Sequence, residues 1–365
     1  MRVIMTGGGT GGHIYPAIAI ANKIKSIDKD AEILFVGSRR GLEKDLVPKN
    51  GYPIKLITVS GFNRKRILTN VKTVADLMKG NLEARSIIKK FKPDVVIGTG
   101  GYVCGPVVRA AAKLGARTFI HEQNAYPGMT NKMLEKYVEK VFISFEPARK
   151  YFKEKDKLVM SGNPVRQSFF DADATAARES LGIRPDETVI LSFGGSQGAG
   201  KINEMMLELL GKFNGAEGIR LYFVTGKYYN DNVKKEIASR GITLKENVVL
   251  MEYIDNMEKY LPASDIIISR SGALTVSEIT VCGKASIMIP SPNVTGNHQY
   301  HNAKSVADVG GAELIEEKDI TPDILYEKIM ALIDDPAARM QMAENAKKAA
   351  PKDAAAIIAD YVFKA

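Results

Sequence analysis

Short apolar runs alternate with amphipathic segments along almost the whole chain. That rhythm constrains the fold more than any other feature, because it belongs to βα units stacked into a parallel sheet. In the first half, strands are predicted over 2–6, 32–36, 94–97, 117–120 and 141–144, with a helix over 14–26 and further helices between the later strands. Past the segment SGNPVRQSF the pattern restarts, with buried strands predicted over 188–193, 218–225, 247–251, 265–269 and 286–289. The restart divides the chain into an expected first domain over 1–163 and a second over 164–340. A tail over 341–365 reads as C-terminal helices able to pack back on the first domain, since from Pro336 the chain is Ala-rich and polar in helical spacing. A length of 365 residues with 45% apolar side chains is too much for one ordinary core and suits two. The predicted class is α/β, two Rossmann-like domains built on parallel sheets.

Charge is unevenly divided. Residues 1–163 hold 29 Lys and Arg against 14 Asp and Glu, and the remainder holds 22 against 28, so only the first half is basic. No helix-turn-helix pattern, zinc-finger spacing or interleaved aromatic and basic run accompanies that charge, so nucleic acid is not an expected partner. An anionic membrane surface or an anionic substrate fits better. The stretch 61–91 is the best candidate for lipid contact, with Arg64, Lys65 and Arg66 beside Phe62, Ile67 and Leu68. A basic amphipathic segment can lie on an anionic bilayer, although a solvated surface helix has the same pattern. The opening residues carry no cleavage signal, and no stretch reaches the roughly 18 apolar residues of a membrane span. The expected compartment is the cytoplasm. Cys104 and Cys282 stand far apart without CxxC or Cys/His spacing, so neither a disulfide framework nor structural zinc is expected.

Three Gly-rich loops each follow a predicted strand and enter a helix: GGGTGG over 7–12, GTGGYVCG over 98–105 and GGSQGAG over 194–200. Glycine lets backbone approach a ligand closely, and a helix start offers amide protons and about half a positive charge to an anion. Several motifs overlap here. Gly7, Gly9 and Gly12 satisfy the dinucleotide pattern GxGxxG, but the second strand ends in Gly37-Ser38-Arg39-Arg40, without the acidic residue that holds ribose. NADP stays open through the arginines. Gly195 to Lys201 is a near P-loop, yet Ile202 stands where Ser or Thr would hold magnesium. Gly194, Ser196 and Gly198 satisfy GxSxG, with Asp265 and His298 following in the order of a hydrolase triad. That reading leaves two loops without a role.

The DxD pair Asp171 and Asp173 precedes a helical stretch, so helix capping is favoured over metal binding, and no metal or other cofactor is expected. Were the bound anion a departing diphosphate, its charge would then fall to helix starts and basic side chains. The candidates are Ser196 with its loop amides, the turn of Ser271 to Thr275, and Arg166. His13 stands at the start of the first helix, where the dipole favours a neutral ring able to accept a proton near pH 7. His121 ends a strand beside Glu122 and Asn124, where packing and chemistry are equally open.

Taken together and in order, GGGTGGHIYP, GTGGYVCGP, HEQNAYPGMTN, GNPVR, GGSQGA, SRSGALTVSEI and NHQYHNA closely resemble the N-acetylglucosaminyltransferases of peptidoglycan synthesis. The resemblance runs from the first loop to about residue 303. It implies the GT-B fold, with two parallel-sheet domains facing across a cleft. It also implies inverting, metal-independent transfer of N-acetylglucosamine from UDP-N-acetylglucosamine to the 4-hydroxyl of an undecaprenyl-linked N-acetylmuramoyl-pentapeptide, by a peripheral protein on the cytoplasmic side of the membrane. Carried over by position, His13 is the candidate base. Thr10, Gly11, Gly12 and Asn124 would lie near the sugar, Arg166 and Ser196 at the nucleotide, and the Ile254 backbone at uracil. Ala273, Leu274 and Thr275 would meet diphosphate and sugar, Glu278 the ribose, and Gln299 the sugar hydroxyls. Gly101 and Tyr102 would face the acceptor pyrophosphate. The alternatives are a non-hydrolysing UDP-N-acetylglucosamine 2-epimerase, which shares the fold, and an NADP-dependent oxidoreductase.

Overall fold

The computed structural model describes residues 1–59 and 70–364, and of 70–74 the backbone alone. The chain opens with β1 (Arg2–Thr6), α1 (Gly11–Ile27), β2 (Glu32–Ser38), α2 (Glu43–Lys49), β3 (Ile54–Ile57) and α3 (Asn70–Phe91). It continues with β4 (Val95–Gly98), α4 (Cys104–Lys113), β5 (Arg117–Glu122), α5 (Met129–Leu134), β6 (Lys140–Ile143) and β7 (Leu158–Met160). Then come α6 (Gln167–Phe170), α7 (Ala174–Ser180), β8 (Thr188–Phe193), α8 (Gly200–Phe213), β9 (Ile219–Val224), α9 (Asn230–Ser239) and β10 (Val248–Met251). The remainder is α10 (Met257–Ala263), β11 (Ile266–Ser269), α11 (Ala273–Cys282), β12 (Ala285–Met288), α12 (His298–Ala307), β13 (Glu313–Leu314), α13 (Pro322–Asp334), α14 (Pro336–Lys348) and α15 (Ala354–Phe363).

These elements form two compact units, Met1–Val165 with Pro351–Ala365, and Arg166–Ala350. The first is built on a parallel sheet in the order β3-β2-β1-β4-β5-β6-β7. Val3, Ile4 and Met5 on β1 are wholly buried, as a strand covered by helices on both faces requires. The α1 helix turns Ile14, Ala17, Ile18, Ala21 and Ile24 inward at helical spacing. Against it packs α15, burying Ile358, Ala359 and Val362 in the same apolar cluster. Asp353 starts α15 by accepting the Ala356 amide at 2.9 Å, and its carboxylate meets Lys23 of α1 at 3.0 Å.

The second unit has a parallel sheet in the order β10-β9-β8-β11-β12-β13. The α14 helix, whose second half the sequence pattern assigns to the tail, packs on α11 and β12 of this unit. In both sheets the strand order reverses beside the first strand, between β1 and β4 and between β8 and β11. Open α/β sheets bind ligands outside the carboxyl ends of the strands at such a reversal. All three Gly-rich loops lie there, after β1, β4 and β8.

The expected strands are present to within a residue or two, and β3, β7 and β13 are additions. Among the described residues no helix is long and apolar enough to cross a membrane. The expected lipid-contact residues Phe62, Arg64, Lys65, Arg66, Ile67 and Leu68 lie outside the described residues.

Candidate active site

In the first unit the loops after β1 and β4 stack on one another. The Gly8 amide donates to the Gly100 carbonyl at 3.2 Å, and a Cβ at Gly101 would come within 2.4 Å of the Gly8 oxygen. His13, in the first turn of α1, lies against this stack. A Cβ at Gly100 would stand 2.6 Å from the His13 ring, so only glycine permits the approach. The His13 main-chain oxygen accepts the Thr99 hydroxyl at 2.7 Å, which ties α1 to the end of β4.

The imidazole of His13 is half-buried, with Nδ1 at 3.1 Å from the Gly8 carbonyl and 3.4 Å from the Thr10 hydroxyl. A carbonyl can only accept, so in the neutral ring the proton belongs on Nδ1 and the lone pair on Nε2. Burial holds the imidazole pKa below its ordinary value, opposed by the charge of Glu122, the Gly8 carbonyl and the charge of Glu43. Neutrality, expected from the helix dipole, is also favoured by desolvation. A neutral ring with its lone pair on Nε2 is equipped to take a proton near pH 7.

His121 is fully buried on β5. Its Nε2 lies 2.9 Å from the Gly162 carbonyl and 3.1 Å from Ser144 Oγ, while Nδ1 meets the Gln123 amide at 2.9 Å. Burial pushes its pKa down to about 4. Buried and with both ring nitrogens engaged, His121 serves the packing of the strand ends. Neighbouring Glu122 accepts the Asn124 amide at 3.0 Å, the Gly128 amide at 2.9 Å and the Asn131 side chain at 2.8 Å. The loop carrying Asn124 is thus folded around one buried carboxylate. Tyr102 is exposed at the tip of the second loop.

In the second unit the loop after β8 enters α8. Ser196 is exposed at its tip, and Gly198 sits so close to β9 that a Cβ would meet the Thr225 oxygen at 2.1 Å. After β11, Gly272 caps α11, whose first-turn residues Leu274 and Thr275 have amides without intrahelical acceptors. Glu278 follows one turn later on α11. Burial raises its carboxyl pKa to about 7, with Arg166 pulling it down and Glu258 pushing it up. Arg166 itself pairs with Glu258 at 3.2 Å and lies over the Phe169 ring. Gln299 accepts the Ser291 amide at 2.9 Å through Oε1, and its main-chain oxygen accepts the Ser271 hydroxyl at 2.9 Å. Ile254 is buried beyond the end of β10.

Residues 3–143 match the glycosyltransferase family 28 N-terminal domain, and residues 189–358 match the family 28 C-terminal domain. Over 97% of its length the chain is 47% identical to a protein of Thermoanaerobacter sp. (strain X514) named UDP-N-acetylglucosamine--N-acetylmuramyl-(pentapeptide) pyrophosphoryl-undecaprenol N-acetylglucosamine transferase, 97% of which is covered. The chain belongs to that transferase family. The crystal structure of MurG from Acinetobacter baumannii superposes with a TM-score of 0.80 at 28% identity, covering 100% of this chain and 99% of that one. A UDP-GlcNAc 2-epimerase from Neisseria meningitidis superposes with a TM-score of 0.69 at 16% identity over 100% of both chains, a likeness of fold alone. The transferase reading is therefore supported over the epimerase alternative.

The local geometry also bears on two of the competing motifs. In the GxGxxG reading, the second glycine would approach a pyrophosphate. Here the Gly9 amide is spent on the Glu43 carboxylate at 2.9 Å. Asp173 of the DxD pair accepts the Thr175 and Ala176 amides at 2.8 and 3.2 Å, which makes it the cap of α7. Of the sequence candidates, Thr10, Gly11, Gly12, His13, Gly101, Tyr102 and Asn124 gather at the strand ends of the first unit. Arg166, Ser196, Ile254, Ala273, Leu274, Thr275, Glu278 and Gln299 belong to the second. Glu43, which holds Gly9 and Ser38, is not singled out by the sequence. The glycines on either side of its turn, Gly37 and Gly41, were the available signal.

Proposed function

We propose that this chain transfers N-acetylglucosamine from UDP-N-acetylglucosamine to the 4-hydroxyl of an undecaprenyl-linked N-acetylmuramoyl-pentapeptide, with inversion and without a metal. The observation that carries the proposal is near-full-length likeness, at 47% identity, to transferases named for that reaction. In the proposed step His13 Nε2 takes the proton of the acceptor hydroxyl as its oxygen attacks the anomeric carbon. The bond from that carbon to the β-phosphate oxygen breaks, and its electron pair leaves with UDP. Charge on the leaving diphosphate is met by the first-turn amides of Ala273, Leu274 and Thr275, since a helix start favours an anion. Arg166 and Ser196 hold the nucleotide, the Ile254 backbone meets uracil, Glu278 accepts from the ribose hydroxyls, and Gln299 binds the sugar. Thr10, Gly11, Gly12 and Asn124 lie near the sugar, and Gly101 with Tyr102 receives the acceptor pyrophosphate.

The protein is proposed to work peripherally on the cytoplasmic face of the membrane. Residues 62–68 would contact anionic lipid, in keeping with the basic balance of the first 163 residues. The use of Asp173 as a helix cap supports a metal-free reaction. UDP release, measured with donor alone, with donor plus acceptor, and with EDTA, tests the proposal. Release that needs acceptor and survives EDTA is expected. A strict divalent requirement would remove the metal-free mechanism, and product formed from donor alone would remove the transferase reading.

A further inference from the structure

Beneath the first glycine loop lies a buried carboxylate. Glu43, the first residue of α2, is wholly buried, and among the described residues it forms no ion pair. Its Oε1 accepts the amide and hydroxyl of Ser38 at 2.7 and 2.6 Å, and its Oε2 accepts the Gly9 amide at 2.9 Å. Three glycines make room for it. A Cβ would fall 2.3 Å from Oε1 at Gly8, 2.5 Å from Cγ at Gly37 and 1.9 Å from Oε2 at Gly41. Burying a carboxylate is costly, but its three hydrogen bonds offset that cost, and a neutral side chain of the same shape would leave at least one of the donors unpaired. Packing alone does not account for a charge there.

The peptide that Glu43 holds does account for it. The amide of Gly9 and the carbonyl of Gly8 belong to one planar trans unit, so fixing the direction of the N–H fixes that of the C=O. That carbonyl lies 3.1 Å from His13 Nδ1. Both residues of the unit are glycines, with Gly9 at φ +89°, so little else in the local backbone prevents this peptide from turning over. We propose that Glu43 is a positioning residue for the transfer: by holding the Gly8–Gly9 peptide it aims the Gly8 carbonyl at His13 and keeps the ring's lone pair on Nε2. The proposal rests on the reading of His13 as the base.

Among the described residues, the charged and titratable groups that act on His13 are Glu43 from α2 and, from β5, Glu122 and the neutral His121. Both carboxylates raise the imidazole pKa. Loss of the Glu43 charge therefore moves His13 titration, and the acid limb of the rate profile, to lower pH.

Glu43→Gln is the test, because it keeps the shape while leaving one oxygen for the Ser38 donors and an amide N–H facing the Gly9 N–H. Glu43→Asp, which keeps the charge but withdraws it from Gly9, is the second variant. Nitrogen-15 spectra of labelled histidine, with His13 assigned by His13→Ala, report the tautomer independently of turnover. In both variants His13 is expected to lose its single Nδ1–H tautomer. Turnover should fall on the order of 10- to 100-fold, with the donor KM within about twofold. An unchanged His13 spectrum in both variants would overturn the tether. A changed spectrum with parental turnover would overturn the positioning role. Should His13→Ala itself keep its turnover, the base assignment fails while the spectra still decide the tether.

Discussion

Glu278 is the group whose surroundings make the most specific demand on the unliganded protein. Its carboxyl pKa is raised from the ordinary 4.5 to about 7, chiefly by burial. The folded state therefore binds a proton that the unfolded state releases at lower pH. For a raised pKa, the group's favourable contribution is complete below the unfolded value and is lost as pH climbs through about 7. At about 1.4 kcal/mol per pH unit, roughly 2 to 3 kcal/mol of stability disappears between pH 5 and 8 on its account. Glu278→Gln carries no titrating group, so it should overtake the parent by that amount as pH rises. The second unit spans Arg166–Ala350. For a unit of that size the gain corresponds to about 5 to 10 °C in melting temperature. The assay is a thermal melt followed by circular dichroism at pH 5 and pH 8, reading the transition that UDP raises. On the proposed role of Glu278 at the ribose, the same substitution should raise the donor KM by about tenfold or more, through loss of a charge-assisted hydrogen bond. A melting difference between variant and parent that stays the same at both pH values would refute the burial argument.

Other residues give independent expectations. His13→Ala should lower turnover by about 100-fold or more without changing the melt, measured as UDP release in the presence of acceptor. Asp173→Ala removes the cap of α7 and should cost about 1 kcal/mol, seen as a drop of about 2 to 4 °C, while turnover and its indifference to EDTA persist. A metal requirement appearing or activity collapsing in that variant would contradict the capping role. Replacing Arg64, Lys65 and Arg66 together with alanine should weaken co-sedimentation with anionic vesicles on the order of 100-fold and leave neutral vesicles unaffected. Equal binding to both vesicle types in the parent would dispose of the lipid-contact assignment.

Strands buried on both faces are legible in the amino-acid sequence alone. The strands β1 and β8 are apolar runs followed by glycine, and their limits coincide with the predicted ones. The edge strands β3, β7 and β13 are not legible, since IKLI, LVM and EL are short and only partly buried, and pairing with a neighbour rather than composition makes them strands. At the site, His13 can be picked out by its place at a helix start. The source of its neutrality cannot, because desolvation and the Gly8 carbonyl are properties of a packed loop. Glu43 sits in EKDLVPK, which reads as a charged surface helix, and its burial arises only when β2 and two glycine loops close over it. Glu278 is singled out through family resemblance alone, and nothing in SEIT foretells a carboxyl pKa near 7.

Group transfer to a lipid-borne acceptor leaves a product that can be weighed and counted. Incubating sugar-labelled UDP-N-acetylglucosamine with the undecaprenyl-linked muramoyl-pentapeptide, and measuring label in the organic-extractable lipid, tests it most directly. Label is expected to enter the lipid in step with UDP release, giving a lipid product heavier by one N-acetylhexosamine. Label remaining wholly on soluble sugar while the donor is consumed or converted to its 2-epimer would contradict group transfer.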